Sequence, residues 1–369
     1  MVTDVSAFIF EKIKGIPQAV KYAILSALII GFVTHIVFYT SNIVNHDSVL
    51  NIADTCGWLL SQGKWFAEAT NSGIRGIFPA NGITTPLAII YLALASGFTV
   101  SALSIKKPIY AILISGFLVT FPSVASSLLY HGGDYFCVTL LLAAMAAYFT
   151  IKFKWGFLIG IVTLTLSLGS YMAYIGYSAA LMLSVCLIDS ISNKKSAKDI
   201  LLQALKYIAV LVVACLFYYG ILQLRLQQLN VGLSDYRGID QMGQFSLSTL
   251  PGIICQSVLK VINFFKSDLF GTGAAIFVWM YRLVALLGVI LVSVSVWKSR
   301  AYRKITKVLL TVLFVLLFPI AIHLIAILGM NTETSWIMIF PFVAAFILVI
   351  KLMENFQALC EEQKESKHY

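Results

Sequence analysis

The chain has 369 residues, of which 60% are apolar and only 11% charged, and its mean hydropathy of +0.91 excludes a soluble globular protein. The formal net charge of +10 reads as membrane topology and not as nucleic-acid binding, because the basic residues fall in the short loops between apolar runs. The six cysteines are scattered without a CxxC or metal-ligand spacing, so a cysteine-held metal is not expected.

Long apolar runs recur along the whole sequence, each able to cross a ~30 Å hydrocarbon core as helix. They are continuous and do not alternate in the manner of barrel strands. The expected fold class is therefore an all-α polytopic membrane protein. Ten spans are predicted at 22–41, 85–104, 108–129, 135–151, 155–170, 171–188, 207–224, 272–296, 308–330 and 335–350. The uncharged run 155–188 is too long for one helix and is split as a tight hairpin near Gly169.

With residues 1–21 cytoplasmic, nineteen of the 26 lysines and arginines fall in inner segments, among them Lys106, Lys107, Lys152, Lys194, Lys195, Lys298, Lys307 and Lys351. The N-terminal stretch has acidic residues and no small-residue cleavage pattern, so it does not read as a signal peptide; residues 4–14 suit a short amphipathic helix on the inner leaflet. Residues 22–350 form the transmembrane domain and 351–369 a charged cytoplasmic tail. Inner loops this short leave no room for a cytosolic nucleotide-binding fold, which places any chemistry on the outer face or in the bilayer.

Two outer segments are large, 42–84 and 225–271. The first carries three carboxylates, a lysine, an arginine and two tryptophans. Val49 to Leu60 has helical spacing, with Asp47 and Asp54 on the other side. Asp47 follows the first span by a few residues, beside His46, where a carboxylate can take the proton from an attacking hydroxyl; capping of the next helix is the competing reading. Asp54 lies two turns on, roughly 10 Å away, too far for the close acid pair of a double displacement. Lys64 and Arg75 can hold a phosphate. Trp58 and Trp65 suit either sugar stacking or interfacial anchoring.

Further along, Asp134 in YHGGDYF stands at the outer end of the fourth span, exposed with His131 by a glycine turn. Tyr171, Tyr174 and Tyr177 recur every three residues and could line a sugar cleft, with plain packing as the alternative. Arg237 reads as a phosphate clamp or as an ion-pair partner of Asp235 or Asp240. Leu250–Phe270 has the pattern of a helix lying along the membrane surface. Arg282 falls inside the eighth span, where an ionisable group is a functional candidate by default, although snorkelling also accounts for it. Cys56 and Cys255 would both lie outside, where they could pair.

The order of these features resembles the type II family of O-antigen glucosyltransferases, the serotype-converting enzymes often carried by bacteriophages. The resemblance rests on HDSVLNIAD after the first span, on Ser61-Gln62-Gly63-Lys64-Trp65, on a proline-led second span, and on YHGGDYFCVTLLLAAMAAYF and SLGSYMAYIGYSAALML; it covers about residues 20–270. Asp47 stands singly here, preceded by His46 where a second acid would complete a pair. Such enzymes are similar to the GT-C superfamily, and the resemblance implies transfer of glucose from undecaprenyl-phosphate-glucose to a sugar of lipid-linked O-antigen on the periplasmic face of the bacterial inner membrane. It implies Asp47 as general base, donor phosphate held by Lys64, Arg75 or Arg237, no cofactor or metal, and functional partnership with a flippase and a polyprenyl-phosphate-glucose synthase. His46, Asp54, Trp65, Asp134 and Tyr171 complete the expected substrate contacts. A transporter or flippase of lipid-linked saccharides, marked by broken helices and inverted repeats, and an O-antigen polymerase are the alternatives.

Overall fold

A computed structural model describes residues 14–41, 43, 58–67, 80–130, 132–192, 194–235, 239–240, 248–267, 275–328 and 335–365. It is 84% helical with no strands among the described residues. Each of the ten apolar runs holds a helix among its described residues: α1 Gln18–Thr34, α2 Asn81–Ala102, α3 Pro108–Thr120, α4 Asp134–Lys152, α5 Gly156–Ser170, α6 Ile175–Ile191, α7 Ala197–Leu229, α8 Leu250–Lys266, α9 Ala275–Lys298, α10 Ile305–Ile322 and α11 Val343–Glu365, where α8 is the additional outer helix. Seven helices are long and apolar enough to span alone, and an eighth qualifies if α3 is joined to Pro122–Leu128 across a 42° bend. α1 and α5 are apolar but shorter, at 17 and 15 residues.

Boundaries follow local chemistry. α5 ends where Tyr171 turns extended (φ −157°, ψ 105°), next to Gly169, as the uncharged run required. α7 is much longer than the apolar stretch 207–224: Ser196 caps its first turn by accepting from the Asp199 N–H, and Asn230 stops it in the left-handed region at φ +51°. At ~1.5 Å per residue its 33 residues reach about 50 Å, so its last turns extend past a ~30 Å core. α2 starts at Asn81, which leaves Pro86 inside the helix instead of at its head. α1 is interrupted at His35 and resumes as Ile36–Thr40.

α4 lies at the centre, packed on α2 and α5, while α1 packs on α2 and α3, α6 on α10, and α9 on α11. α2 and α4 pack on one another and both carry small buried residues (Ala88, Ala95 and Ser96; Ala143, Ala144 and Ala147), while Gly97 of α2 faces Val20 and Ile24 of α1, where only a glycine or a small shift admits the neighbour. Polar side chains bind helices across these seams: the Tyr177 and Thr99 hydroxyls are 2.7 Å apart, Ser178 donates to the Ala143 carbonyl, and Ser167 donates to that of Thr139. Around the α3 bend, Phe121, Phe264, Phe340 and Phe346 form an aromatic cluster, and Tyr281 stacks on Phe264 at 4.8 Å.

Helix ends are satisfied by neighbours. The Glu354 carboxylate, on α11, accepts from the Lys106 and Lys107 N–H groups at the start of α3, at 2.7 and 3.0 Å. Lys307 is 2% exposed, and its ammonium donates to the Asp189 and Ser192 carbonyls that end α6. Arg282 donates through Nε and Nη2 to the last carbonyl of α8, Lys266, and lies over the Trp279 ring. The intramembrane arginine thus has a capping role. The buried histidines are likewise packed and bonded: His35 Nε2 donates to the Val119 carbonyl at 2.8 Å, and His323 Nδ1 meets the Ser257 hydroxyl at 3.1 Å.

One end of the bundle collects the lysines expected on the inner side. Lys107 pairs with Glu361, Lys195 with Asp189, Lys351 with Glu354, Lys152 donates to Ser104, and Lys298 reaches Cys360. The segment 61–66 and the start of α4 stand at the opposite end.

Candidate functional site

Four of the expected site residues are described: Lys64, Trp65, Asp134 and Tyr171. Asp47, His46, Asp54, Arg75 and Arg237 lie outside the described residues, as do His131 and Cys56. Cys255 is exposed on α8.

Residues 58–67 form a tight knot. One helical turn, Trp58–Ser61, ends at Gly63, whose φ of +75° suits glycine and turns the chain back. The Gly63 N–H donates to the Leu60 carbonyl and the Lys64 N–H to that of Leu59. The Gly63 carbonyl accepts from the Tyr218 hydroxyl of α7 at 2.9 Å, and the Phe66 N–H donates to the Gly169 carbonyl of α5 at 2.7 Å. A third tie runs from the Ser234 N–H to the Ser61 carbonyl at 3.0 Å. Leu60, Leu168, Tyr218, Leu222 and Leu226 bury the apolar side of the knot, with Trp65 partly buried against them.

These ties bring Lys64, Trp65 and Tyr171 to one corner. The Lys64 ammonium donates to the Gln62 side-chain oxygen at 2.7 Å and stands 5.6 Å from the centre of the Tyr171 ring, within cation–π range. The Trp65 indole lies on Gly169: a Cβ added there would sit 2.5 Å from Cε2, so only glycine admits the ring. Tyr171 meets Phe136 edge-on at 5.0 Å, which ties the corner to the first turn of α4.

Asp134 opens α4 and is 1% exposed, which corrects its reading as a loop acid exposed by the glycine turn. The turn before it is tight: Gly132 has φ +72°, and a Cβ on Gly133 would meet the Ser127 carbonyl oxygen at 2.0 Å. At a helix N-terminus, the partial positive charge of the free N–H groups stabilises a carboxylate. Of the tyrosine stripe, Tyr171 alone reaches the corner. Tyr174 and Tyr177 are 2% and 0% exposed and pack on Phe340. The rings touch in sequence, Tyr171 meeting Tyr174 edge-on at 5.4 Å and Tyr174 and Tyr177 both lying against Phe340, so the inner two are core packing, the alternative reading of the stripe.

Sequence reasoning passed over Gln62, Gly169, Tyr218 and Ser234 as members of this corner. Gly63 was visible within Ser-x-Gly-Lys-Trp, and a glycine between a helical turn and a basic residue was the signal for a left-handed reversal. A cation beside an aromatic face can hold a phosphate and stack a sugar next to it.

A family model described as Glucosyl transferase GtrII matches residues 36–350. No curated protein and no solved structure matches the chain. The matched region runs from just after His35 through the knot, the Asp134 helix and the Tyr171 corner to α11. On that match the chain is a membrane-embedded glycosyltransferase and belongs to the Glucosyl transferase GtrII family.

Proposed function

We propose that the protein moves glucose from undecaprenyl-phosphate-glucose to a sugar hydroxyl of lipid-linked O-antigen, on the periplasmic face of the bacterial inner membrane. The acceptor oxygen bonds to C1 of glucose as the bond from C1 to the phosphate oxygen breaks. The electron pair leaves with undecaprenyl phosphate, and the Asp47 carboxylate takes the acceptor proton. One base and one displacement invert the anomeric centre. Lys64, with Arg75 and Arg237, stabilises the departing phosphate through fixed positive charge. Tyr171 and Trp65 offer the sugar apolar faces, while His46 and Asp54 complete the polar lining.

The observation that carries this reading is the Lys64–Tyr171–Trp65 corner at the bundle end opposite the lysine-rich end. By the distribution of positive charge, that end faces away from the cytosol. A flippase that delivers the glucolipid and a synthase that makes it would supply the donor there. The test is expression in a host that makes undecaprenyl-phosphate-glucose, followed by mass analysis of its O-antigen. Wild type adds a hexose to the repeat unit, and Asp47→Asn at equal membrane abundance does not. Wild-type hexose levels in Asp47→Asn would remove Asp47 from the reaction.

A further inference from the structure

Gln62 brings a buried polar side chain to the knot. Only 4% of the residue is exposed, and its amide oxygen accepts from the Lys64 ammonium at 2.7 Å. An ammonium can only donate, so the amide must present its oxygen there. The two side chains meet because Gly63, at φ +75°, reverses the chain between them. The backbone around the pair is fixed: the Gln62 N–H donates to the Trp58 carbonyl, the Lys64 N–H to that of Leu59, and the Gly63 carbonyl accepts from Tyr218. The acceptor is thus anchored before any ligand arrives.

The chemistry of this bond separates direction from charge. A lysine side chain is a compact cation on a flexible four-carbon stem, and it ranges over many rotamers unless something holds it. Gln62 Oε1 takes one of the three ammonium donors, and the centre of the Tyr171 ring lies 5.6 Å away. Amide and ring are both neutral, so they aim the cation without cancelling its charge. A carboxylate at position 62 would grip the ammonium more strongly and neutralise it. A departing phosphate gains negative charge as its bond to C1 breaks, and it is stabilised by a cation fixed in advance.

We infer that Gln62 is a positioning residue for the transfer, acting through Lys64: its amide oxygen aims the ammonium at the donor phosphate while leaving the positive charge intact. The inference rests on the donor reading under Proposed function and adds the residue that orients its phosphate-binding cation.

The test uses full-length protein in proteoliposomes with undecaprenyl-phosphate-glucose and lipid-linked O-antigen, and separates kcat from KM at equal folded abundance. Gln62→Leu keeps the bulk and removes the acceptor. A hydrogen bond to a charged group is worth about tenfold or more, so kcat should fall by about that factor. KM for the glucolipid should change less, because the bond matters most where the phosphate carries most charge. Gln62→Glu is the decisive variant. A merely structural bond would survive it, strengthened by charge, whereas a positioning role predicts a folded protein whose kcat also falls about tenfold or more. Lys64→Ala removes the group through which Gln62 acts, so adding Gln62→Leu to it should cost nothing further. Wild-type kcat in folded Gln62→Glu, Gln62→Leu or Lys64→Ala would overturn the inference, as would a full additional loss in the double variant. In those cases the donor reading stands. A wild-type protein that transfers nothing from the glucolipid would overturn the donor reading and the inference with it. Should Gln62→Leu fail to fold, Gln62→Asn, which draws the same amide back by one methylene, makes the same comparison.

Discussion

Gly169→Ala probes the corner with one methyl group. The added Cβ would lie 2.5, 2.7 and 2.9 Å from Cε2, Cζ2 and Cδ2 of Trp65. Carbon atoms pack comfortably at about 3.5–4.0 Å, so the indole must retreat by roughly 1 Å. The Gly169 carbonyl also holds the Phe66 N–H at 2.7 Å, which limits how far the backbone can yield. Overpacking of this kind costs about 1–3 kcal/mol, and a misplacement of about 1 Å at a substrate-holding group costs on the order of 100-fold in rate. Helix propensity pulls the other way by up to about 1 kcal/mol. Gly220→Ala, in α7 with nothing within 4 Å of its added Cβ, isolates that opposing gain and is expected to be neutral or stabilising. The assay is unfolding in mild detergent together with hexose transfer, for Gly169→Ala, Trp65→Ala and the double variant. Removing the indole removes the clash, so the double variant should be more stable than the two single costs together predict, by about 1–3 kcal/mol. Strict additivity would show that Trp65 does not lie on Gly169.

Glu354→Ala leaves two N–H groups at the start of α3 without their carboxylate and should lower stability by about 2 kcal/mol, with Glu354→Gln losing less because an acceptor oxygen remains; unfolding midpoints measure both. At the break between α1 and Ile36–Thr40, His35→Leu orphans the Val119 carbonyl and should cost about 1–3 kcal/mol. His35→Gln keeps a donor there and should recover part of that loss in the same measurement. Tyr218→Phe keeps the ring and removes the hydrogen bond to the Gly63 carbonyl. Transfer should fall several-fold if that bond fixes Lys64, and an unchanged rate would count against the knot as the frame of the site.

Much of the architecture was legible because hydrophobic length is a one-dimensional property. Each apolar run became helix, and the Gly169 break appeared where the run outgrew one span. The amphipathic pattern of Leu250–Phe270 likewise gave α8. Boundaries were less legible where polar residues continue a helix past its apolar part, as Lys198, Asp199, Gln227 and Gln228 do for α7 out to its caps at Ser196 and Asn230. The caps provided by Glu354, Lys307 and Arg282 join residues distant in sequence, and no spacing rule announces them. The same holds for the candidate site. Lys64 and Trp65 stood out as polar and aromatic residues in an outer segment, but their neighbours Gly169, Tyr218 and Ser234 come from three other stretches. For the tyrosine stripe, cleft and packing both stayed open in the sequence because helices apolar all round give no sign of which face is buried; Tyr174 and Tyr177 are packed.

The most direct test of the central claim is transfer by the purified protein in proteoliposomes that contain lipid-linked O-antigen and a single glucose donor. With undecaprenyl-phosphate-glucose, one hexose should pass to the acceptor and undecaprenyl phosphate should accumulate in equal amount, with no nucleotide present. Transfer that occurs with UDP-glucose and fails with the glucolipid would contradict the account.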